Sequence, residues 1–329
     1  MATLADVARK AAVSKATVSR VLNGKMVLPI SPDTVARIRQ AAAELQYRPN
    51  PLARALATGR TQTIGLYYSN PTDPHFSRML EAVEARAQQM GYAILVTSRL
   101  EGILVEGRVD GSILVMLPNQ IDLHRFSTAR PVVFAHHSDQ KYPNAVVWSD
   151  REGVYKAVRY LVSLGHRKIA GLFGDYQPHM EPPYSRVVGF RQAVEECGVE
   201  AVELYGELSP DQLDNGRILV ERMLQERPEI TAIFARNDFL ALGAMEAARQ
   251  AGRPIPTQMS VIGFGDTLLA RCASPRLTSV HTPSAEACVL ALERLIEVIE
   301  HGKQGFAGES LPVTITERLS CAPPPLRGA

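Results

Sequence analysis

The hydrophobic pattern of the chain changes its period near residue 60. Before that point, apolar residues recur every three or four positions, which is the spacing of one face of a helix. From Thr63 onward, apolar runs of strand length alternate with longer amphipathic stretches. Such alternation predicts parallel sheets covered by helices on both faces. We therefore expect a small all-α part followed by a larger α/β part.

Three short helices are predicted in the first 48 residues. Ser14 is a suitable N-cap for the second helix, and Ser31 with Pro32 suits the start of the third. Only Ala12 and Val13 lie between the first two helices, and so tight a turn predicts a helix-turn-helix. The predicted core faces carry Leu4, Val7, Ala8 and Ala11, then Val18, Val21 and Leu22, then Val35, Ile38, Ala42 and Leu45.

The exposed face of the second helix is a candidate for contact with DNA. Lys and Arg side chains reach guanine edges in the major groove, and Ser and Thr hydroxyls suit phosphate oxygens. The alternative is a three-helix bundle whose basic face is only solvated. The residues predicted on this face are Lys15, Ala16, Thr17, Ser19 and Arg20.

The charge of the chain is distributed unevenly. Residues 1–60 contain ten Lys and Arg against three Asp and Glu, a net charge of +7. The remainder contains 26 basic and 31 acidic residues, a net charge of −5. A basic head on an acidic body indicates that the head meets a polyanion.

A short segment follows the three helices. Asn50 can cap a helix, Pro51 can begin it and Gly59 can end it, with Leu52 and Leu56 on one face. A helix this short is not stable alone in water. On the residues alone, a flexible linker is the simpler interpretation.

The larger part has room for two lobes, and ligands in such folds bind beyond the carboxyl ends of the strands. Strands are predicted at Ile64–Tyr68, Ala93–Thr97, Ser112–Leu117, Val132–Ala135, Val146–Trp148, Ile169–Phe173, Ala232–Ala235 and Val261–Phe264. Helices are predicted at Phe76–Met90, Gly153–Leu164, Ser185–Cys197, Gln212–Gln225, Phe239–Gln250 and Ala285–Ile299.

Several classes of protein are disfavoured by the sequence. The apolar runs are too short to span a membrane, and the N-terminus mixes charged and apolar residues, unlike a signal peptide. Four scattered cysteines, at 197, 272, 288 and 321, fit a reducing cytosol, so we expect a soluble cytoplasmic protein.

Enzymatic and metal-binding chemistry has little support. No glycine-rich phosphate or dinucleotide motif occurs, and no serine or cysteine lies in a nucleophile elbow. His136 and His137 are adjacent, so on a strand they point to opposite faces, and His166 follows Gly165 in a helix-stop turn that favours a structural role. We expect no cofactor, no metal and no catalytic activity.

The run Thr3–Gly24 resembles the helix-turn-helix of the lactose-repressor (LacI/GalR) family, and the resemblance continues through Ala43–Asn50 and Pro51–Gly59. It implies a DNA-binding domain at residues 1–48, a hinge helix at 49–60 and a two-lobed body for effector binding and dimerisation at 61–329. It places Lys15, Ala16 and Arg20 at base-reading positions and Leu56 as a wedge between base pairs in the minor groove. The other positions that it implies for DNA contact are Ser14, Thr17, Ser19, Asn23 and Asn50.

The body resembles a periplasmic sugar-binding protein fused to this head. The similar pieces are Ile64–Phe76, Gly107–Val115, Leu161–Gly174, Ser185–Phe190, Ile233–Met245 and Val261–Val280. The resemblance implies that the chain crosses between the lobes near Arg151, Thr282 and Val313. The loop Met26–Ile30 is about two residues longer than usual, and a stunted helix is expected between Ser98 and Gly107. No leucine-heptad tail follows the last strand, which favours a dimer over a tetramer.

The same resemblance implies which residues line an effector cleft at the strand ends. For each of them the alternative is a helix cap or an interlobe salt bridge. Gly265 stands where many members have an acidic residue, and Leu208 where some have a ring-stacking aromatic. The implied effector residues are His75, Phe76, Glu152, Arg186, Asn237 and Asp238.

The sequence thus predicts a small helix-turn-helix domain plus hinge helix, joined to a periplasmic-binding-protein-like body of two doubly wound parallel-sheet lobes. We expect a homodimeric repressor that binds a near-palindromic double-stranded operator and responds to a sugar or sugar acid. Two alternatives are a solute-binding protein of a transport system, which lacks a DNA-binding head, and a sugar-processing enzyme, which needs a catalytic pair or cofactor motif.

Overall fold

The computed structural model describes residues 2–22, 30–48, 55–56, 58–68, 74–99, 108–115, 130–138, 141, 143–174, 185–206 and 211–325. The chain divides into two compact units, Met1–Gln62 and Thr63–Ala329. Among the described helices, none combines the length and the apolarity that a membrane crossing requires.

The first unit is a bundle of three helices, α1 (Leu4–Lys10), α2 (Lys15–Leu22) and α3 (Pro32–Glu44). The starts of α2 and α3 are fixed by side-chain caps. The Ser14 hydroxyl accepts a hydrogen bond from the Thr17 N–H at 3.1 Å, and the Ser31 hydroxyl accepts one from the Thr34 N–H at 3.3 Å. The predicted core faces are confirmed. The fully buried members of this core are Val7, Val18 and Ile38.

The turn between α1 and α2 is as tight as the sequence predicts. Ala12 adopts a left-handed φ of 52°, and the Val13 N–H donates to the Ala8 carbonyl at 3.0 Å. This hydrogen bond satisfies a carbonyl at the end of α1 while the chain reverses. The geometry fixes the angle at which α2 leaves α1.

The second unit alternates strands and helices along the chain. In order, these are β1 (Thr63–Tyr68), α4 (Pro74–Gln89), β2 (Ala93–Thr97), β3 (Gly111–Val115), β4 (Val132–His137), β5 (Ala145–Trp148), α5 (Asp150–Ser163), β6 (Lys168–Gly174), α6 (Ser185–Cys197), β7 (Glu200–Tyr205), α7 (Gln212–Glu226), β8 (Ala232–Ala235), α8 (Asp238–Gln250), β9 (Ser260–Gly265), α9 (Leu268–Cys272), β10 (Thr278–His281), α10 (Ser284–His301), β11 (Glu309–Ser310) and β12 (Thr314–Thr316).

Within the described residues these strands form two six-stranded sheets, one in each lobe. The first lobe has the order β11-β5-β4-β3-β1-β2, and every neighbouring pair is parallel. The second lobe has the order β12-β10-β9-β8-β6-β7, in which only β12 is antiparallel to its neighbour. Strands β3, β5, β8 and β9 are buried along their whole length, as parallel strands covered on both faces should be.

The chain passes between the two lobes three times. After β5 of the first lobe it enters α5, which packs in the core of the second lobe. After β10 it returns to α10, which packs in the core of the first lobe. Between β11 and β12 it crosses once more. The crossings expected near Arg151, Thr282 and Val313 are therefore confirmed.

Several elements differ from the prediction or fall outside it. The strands β7, β10, β11 and β12 and the short helix α9 were not predicted from the hydrophobic pattern. Most of the loop Met26–Ile30 and residues 100–107, where a stunted helix is expected, lie outside the described residues, and so does Leu208.

Candidate DNA-binding surface and effector cleft

The solvent-facing side of α2 presents the residues predicted to contact DNA. Lys15, Ala16 and Arg20 are exposed, whereas Thr17 and Ser19 are half-buried. On the opposite side, Val18 and Val21 are buried in the bundle core and hold the helix in place. The amphipathic pattern therefore places two cations and two hydroxyls on one accessible helical surface.

The start of α2 leaves a hydroxyl proton for an outside acceptor. The Ser14 and Thr17 hydroxyl oxygens lie 2.8 Å apart and share one hydrogen bond, in which either atom can donate. The hydroxyl that accepts in this hydrogen bond still has its own proton, which it can donate to another acceptor. A phosphate oxygen is a suitable partner for that group.

The acidic residues of the head are paired away from α2. Asp6 pairs with Arg9 at 3.3 Å, Asp33 with Arg37 at 3.4 Å and Glu44 with Lys10 at 2.6 Å. Hydrogen bonds from Lys10 and Gln40 lower the pKa of Glu44. Within the described part of the head, neither Lys15 nor Arg20 has a carboxylate partner, so both charges remain available to a polyanion.

The hinge segment is described only in part. Asn23 and Asn50 lie outside the described residues. The Gly59 N–H donates to the Ala55 carbonyl at 2.8 Å, and Gly59 itself has a φ of +68°, which ends the helical turn. Leu56 is 92% exposed. Nearly all of this apolar side chain is therefore in contact with water and not with the protein core.

In the second lobe, Arg186 lies at the start of α6 and is bound to a buried carboxylate. Its Nε and Nη2 lie 2.9 and 2.8 Å from Oδ2 of Asp150, whose side chain is only 1% exposed. Nη1 donates to the Arg236 carbonyl at 2.8 Å, and the guanidinium lies 4.1 Å from the centre of the Phe264 ring. These contacts fix its plane where the first crossing enters the second lobe.

Asp238, the first residue of α8, is buried near the carboxyl end of β8 in the second lobe. Its Oδ1 accepts from Ser279 Oγ at 2.6 Å, and its Oδ2 accepts from the N–H and hydroxyl of Thr267 at 2.7 and 2.8 Å. Burial raises the pKa of Asp238, although these hydrogen bonds act in the opposite direction. Asp238 is 1% exposed, so it positions the Thr267 loop from below.

Asn237 acts as the N-cap of α8. Its Oδ1 accepts from the Leu240 N–H at 2.8 Å, and its Nδ2 lies 3.5 Å from Gln212 Oε1. The helix-cap alternative therefore describes the contacts of Asn237 in this structure. One amide proton and one oxygen lone pair remain for a further partner.

His75 and Phe76 come from the first turn of α4 in the first lobe. Phe76 stacks on Tyr68 with ring centroids 5.0 Å apart, so part of its surface belongs to the first-lobe core. The His75 imidazole reaches the second lobe, because a Cβ built on Gly265 would lie 2.5 Å from His75 Nε2. The two lobes thus meet at the carboxyl ends of β1 and β9.

Glu152 makes different contacts from the other five implied effector residues. Its carboxylate forms an ion pair with Lys156 at 2.6 Å. It lines a groove of about 690 Å³ beside Tyr155, Arg159 and Val313, along α5 and β12. The described contacts of Glu152 therefore join it to this groove rather than to Arg186, Asn237 or Asp238.

Asp266 is the centre of a network that sequence reasoning missed. It follows β9 with a left-handed φ of 52°, and its Oδ1 accepts from Arg318 Nη2 at 2.5 Å. Its Oδ2 lies 3.0 Å from Thr316 Oγ1 and 3.2 Å from His281 Nδ1. Partial burial alone would raise the pKa of Asp266, but the hydrogen bonds from His281 and Arg318 outweigh it and the pKa is lowered. The network ties the second crossing to the third.

No local signal identified this network in the sequence. Its members are separated by up to 52 positions along the chain, and only the sheet order brings them together. Among the described residues, no group of three or more His, Cys, Asp or Glu is placed to hold a metal ion.

The two parts of the chain match two family descriptions. Residues 3–50 match the bacterial regulatory proteins of the lacI family, and residues 158–321 match a periplasmic binding protein-like domain. The HTH-type transcriptional repressor PurR of Vibrio atlanticus is 32% identical over 93% of this chain and 95% of its own length. The HTH-type transcriptional regulator DegA of Bacillus subtilis is 34% identical over 86% of this chain and 87% of its own length.

Solved structures agree with these matches. A lac repressor dimer bound to operator and the anti-inducer ONPF superposes with a TM-score of 0.82 at 29% identity, covering 98% of this chain and 99% of its own. A complex of the transcriptional regulator CelR with cellobiose has a TM-score of 0.67 at 27% identity, covering 97% of this chain and 100% of its own. The fold, the match of the head and the similarity over nearly the whole chain all indicate the same family. The chain belongs to the lacI family of DNA-binding bacterial regulatory proteins.

Proposed function

We propose that the chain is a homodimeric transcriptional repressor whose affinity for a near-palindromic operator is set by a small carbohydrate-like effector, a sugar or sugar acid. The exposed face of α2 carries this proposal. It offers Lys15 and Arg20 without described carboxylate partners, while all three acids of the head pair elsewhere. Base readout in the major groove needs such a surface.

The hinge residues 49–60 are proposed to order on DNA. Leu56 is 92% exposed, and a wedge that enters the minor groove must be free of the protein core. In a two-fold dimer, two such wedges meet at the centre of the site. This arrangement favours a near-palindromic operator with a deformable central step.

The effector is proposed to bind between the lobes. Arg186 and Asn237 begin helices that follow strands of the second lobe, and His75 and Phe76 begin the helix that follows β1 of the first. Strand ends of both lobes therefore contribute to one cleft, which is where ligands bind in doubly wound sheets. Relatives support both halves, since one structure contains operator and ONPF and another contains cellobiose.

A gel-shift assay with and without candidate ligands tests the proposal against its alternatives. A repressor shifts one operator fragment in preference to random DNA, and its ligand changes that preference. A solute-binding protein binds the ligand and shifts no DNA specifically. An enzyme converts the ligand, which chromatography of the reaction mixture detects.

A test of the proposed cleft needs a variant that leaves no buried charge without its partner. Arg186→Ala alone would leave the Asp150 carboxylate buried without its cation, which costs stability for reasons unrelated to the effector. The double variant Asp150→Asn with Arg186→Gln removes both charges together. We expect it to keep operator binding and lose the ligand response, whereas Arg222→Gln, on the exposed side of α7, keeps both. An unchanged ligand response in the double variant would remove Arg186 from the site.

A further inference from the structure

The second crossing carries a histidine between two carboxylates that belong to different lobes. His281 is the last residue of β10, and only Thr282 and Pro283 separate it from α10. Its Nδ1 lies 3.2 Å from Oδ2 of Asp266, which follows β9 in the second lobe. Its Nε2 lies 3.8 Å from Oε1 of Glu286, in the first turn of α10, a helix of the first lobe. One imidazole thus faces both lobes at a point where the chain must bend if the lobes move.

Asp266 determines where the neutral ring carries its proton. Against the effect of partial burial, hydrogen bonds from His281 and Arg318 lower the pKa of Asp266, so it is a carboxylate near neutral pH. A carboxylate only accepts hydrogen bonds, and the 3.2 Å contact therefore requires a proton on His281 Nδ1. The same Oδ2 accepts from Thr316 Oγ1 at 3.0 Å. The neutral ring consequently has a bare lone pair on Nε2.

The contact with Glu286 depends on a second proton. In the neutral ring, the Nε2 lone pair faces a carboxylate oxygen that also has only lone pairs, and the two atoms cannot form a hydrogen bond. Protonation gives Nε2 an N–H and gives the ring a positive charge, and both attract Glu286. Imidazole is the side chain whose charge ordinarily changes between about pH 5 and 8. The strength of this interlobe contact therefore changes with pH.

Two arginines lie on the outer sides of the two carboxylates. Arg78 Nη2, from α4 of the first lobe, lies 3.2 Å from Glu286 Oε1. Arg318 Nη2, after β12 in the second lobe, lies 2.5 Å from Asp266 Oδ1. Charges therefore alternate across the crossing when His281 is protonated, and the row is interrupted between His281 and Glu286 when it is neutral. Glu286 is half exposed, so water competes for its carboxylate and the contact is weak enough to break.

Three further charged or titratable groups lie on the elements around His281. Asp238 is 1% exposed and accepts a hydrogen bond from the same face of β10. His75 of α4 lies against the α-carbon at the end of β9. Lys156 belongs to α5, which covers the opposite face of β10, and it pairs with Glu152 at 2.6 Å. Of these groups, His75 ordinarily titrates in the same pH range as His281, so an experiment must separate the two histidines.

We propose that His281 is a proton-dependent bridge between the lobes. The protonated ring ties Asp266 of the second lobe to Glu286 of the first, and the neutral ring releases Glu286. The bridge is a property of the body and requires no effector. Its consequence for DNA, an operator affinity that varies with pH, rests on the proposed function, in which the lobes control the head.

A double-mutant cycle in the full chain, measured at two pH values, tests the bridge. His281→Gln keeps a donor for Asp266 but cannot be protonated, and Glu286→Gln removes the charge of the first-lobe partner. At about pH 5.5, Glu286→Gln should lower the Tm by about 1–3 °C more in the wild-type background than in the His281→Gln background. At about pH 8 this difference should disappear. The pH effects of other groups, including His166, cancel in the cycle.

Arg86 and Glu293 provide the matched control, because they join the same two helices. Arg86 Nε, from α4, lies 2.7 Å from Glu293 Oε1, from α10. A guanidinium keeps its charge at both pH values, so the cycle of Arg86→Gln with Glu293→Gln should give equal coupling at both. If the coupling between His281 and Glu286 is also equal at both pH values, or is absent at both, the bridge does not exist.

Two neighbouring titratable residues are tested as alternative sources of the pH dependence. His75 lies at the end of β9, and Asp73, which precedes α4, lies outside the described residues. The cycle of His281→Gln with Glu286→Gln is repeated in His75→Gln and in Asp73→Asn. We expect the coupling at about pH 5.5 to persist in both. Its loss in either variant would assign the switch to that residue and overturn the assignment to His281.

Nitrogen NMR of isotope-labelled histidine tests the same bridge in the folded protein. The signals of His281 are those that disappear in His281→Gln. We expect Nδ1 to keep its proton throughout the titration and Nε2 to lose its proton as the pH rises. A neutral ring that carries its proton on Nε2 would turn its lone pair towards Asp266 and would contradict the bridge.

Operator binding tests the consequence for regulation. The probe is the DNA fragment that the wild-type protein selects from a random library. The ratio of the operator Kd at about pH 6 to that at about pH 8 should differ between wild type and His281→Gln by about two- to fivefold, whereas Arg86→Gln keeps the wild-type ratio. An identical ratio in His281→Gln overturns the regulatory consequence. Selective binding of the fragment over random DNA tests the proposed function separately, because it does not depend on how the Kd varies with pH.

Discussion

At the scale of single residues, the described ion pairs determine which charged side chains remain exposed and which are buried. In the head, the acids pair with Arg9, Arg37 and Lys10, and Lys15 and Arg20 of α2 have no carboxylate partner among the described residues. In the body, Arg186 is held by a buried Asp150. The resemblance implied that Arg186 lines the cleft, but the sequence could not predict its partner, because Asp150 lies 36 positions away and its burial depends on the tertiary fold.

Arg20 should read bases directly. We expect Arg20→Ala to weaken binding to the specific operator by about 1–3 kcal/mol and to relax preference at one or two base pairs. Selection from a random DNA library compares the consensus of the two proteins. Arg222→Ala, which removes another exposed arginine, in the second unit, should leave the consensus unchanged. An identical consensus for Arg20→Ala and wild type would show that Arg20 binds only the backbone.

His166 should make the stability of the second lobe depend on pH. Its Nδ1 lies 2.8 Å from Thr231 Oγ1 and its Nε2 lies 3.0 Å from the Ala322 carbonyl, an arrangement that suits a neutral ring with its proton on Nε2. Burial lowers the pKa of His166 below that of the unfolded chain. The unfolded state therefore binds the proton more readily, and stability falls as the pH drops below about 6.5.

Urea unfolding at a series of pH values measures this dependence. The free energy of unfolding should fall less steeply with acidification in His166→Gln, which keeps one donor and one acceptor. His301→Gln changes an exposed histidine and should follow wild type. Parallel pH curves for all three proteins would rule out a contribution from His166.

At the scale of elements, periodicity predicted the long helices and the apolar strands well. The boundaries of α6, β2 and β8 agree with the prediction at both ends. Strand β10 was missed because Thr278 and Ser279 give it no apolar pattern, yet both are fully buried. Their hydroxyls bond to the Arg318 N–H and to Asp238. Polar residues become core residues here through partners that lie far away in sequence.

The hinge segment is an element that is too short to be a stable helix alone, so it needs an external partner. We expect Leu56→Ala to weaken binding to the specific site while the folding of both units and the effector affinity stay unchanged. Leu268→Ala, at another exposed leucine in α9, should have no effect on DNA binding. Quantitative footprinting measures the change, and protection of a single asymmetric half-site by a monomer would contradict the model of two wedges.

At the scale of the whole molecule, the two lobes are joined by three crossings of the chain, and domains connected by a few segments can close around a ligand by hinge motion. Closure around a ligand changes the relative positions of the crossings and so acts on anything attached to the lobes. The two-lobed parallel-sheet fold and its three crossings could be predicted in outline from alternation and resemblance, but the order of the strands in each sheet was not predicted. The networks that stiffen the crossings, such as that of Asp266, could not, since they depend on contacts between distant strands.

Effector and operator should influence each other reciprocally. Whatever factor the effector applies to the operator Kd, the operator must apply to the effector Kd, typically about 5–150-fold. Titrating each ligand in the presence and absence of the other measures both factors. A disagreement between them beyond error would mean that a third species, such as a change in dimerisation, participates in the equilibrium.

The three crossings also have a consequence for how the protein is made. The core of the first lobe is completed by α10, whose Cys288, Leu292 and Leu295 pack against strands synthesised long before. On the ribosome, the head has all of its residues early, whereas the first lobe must wait for nearly the whole body to be translated. A nascent chain therefore contains the complete α1–α3 bundle before the first lobe receives α10, the helix whose side chains complete its core.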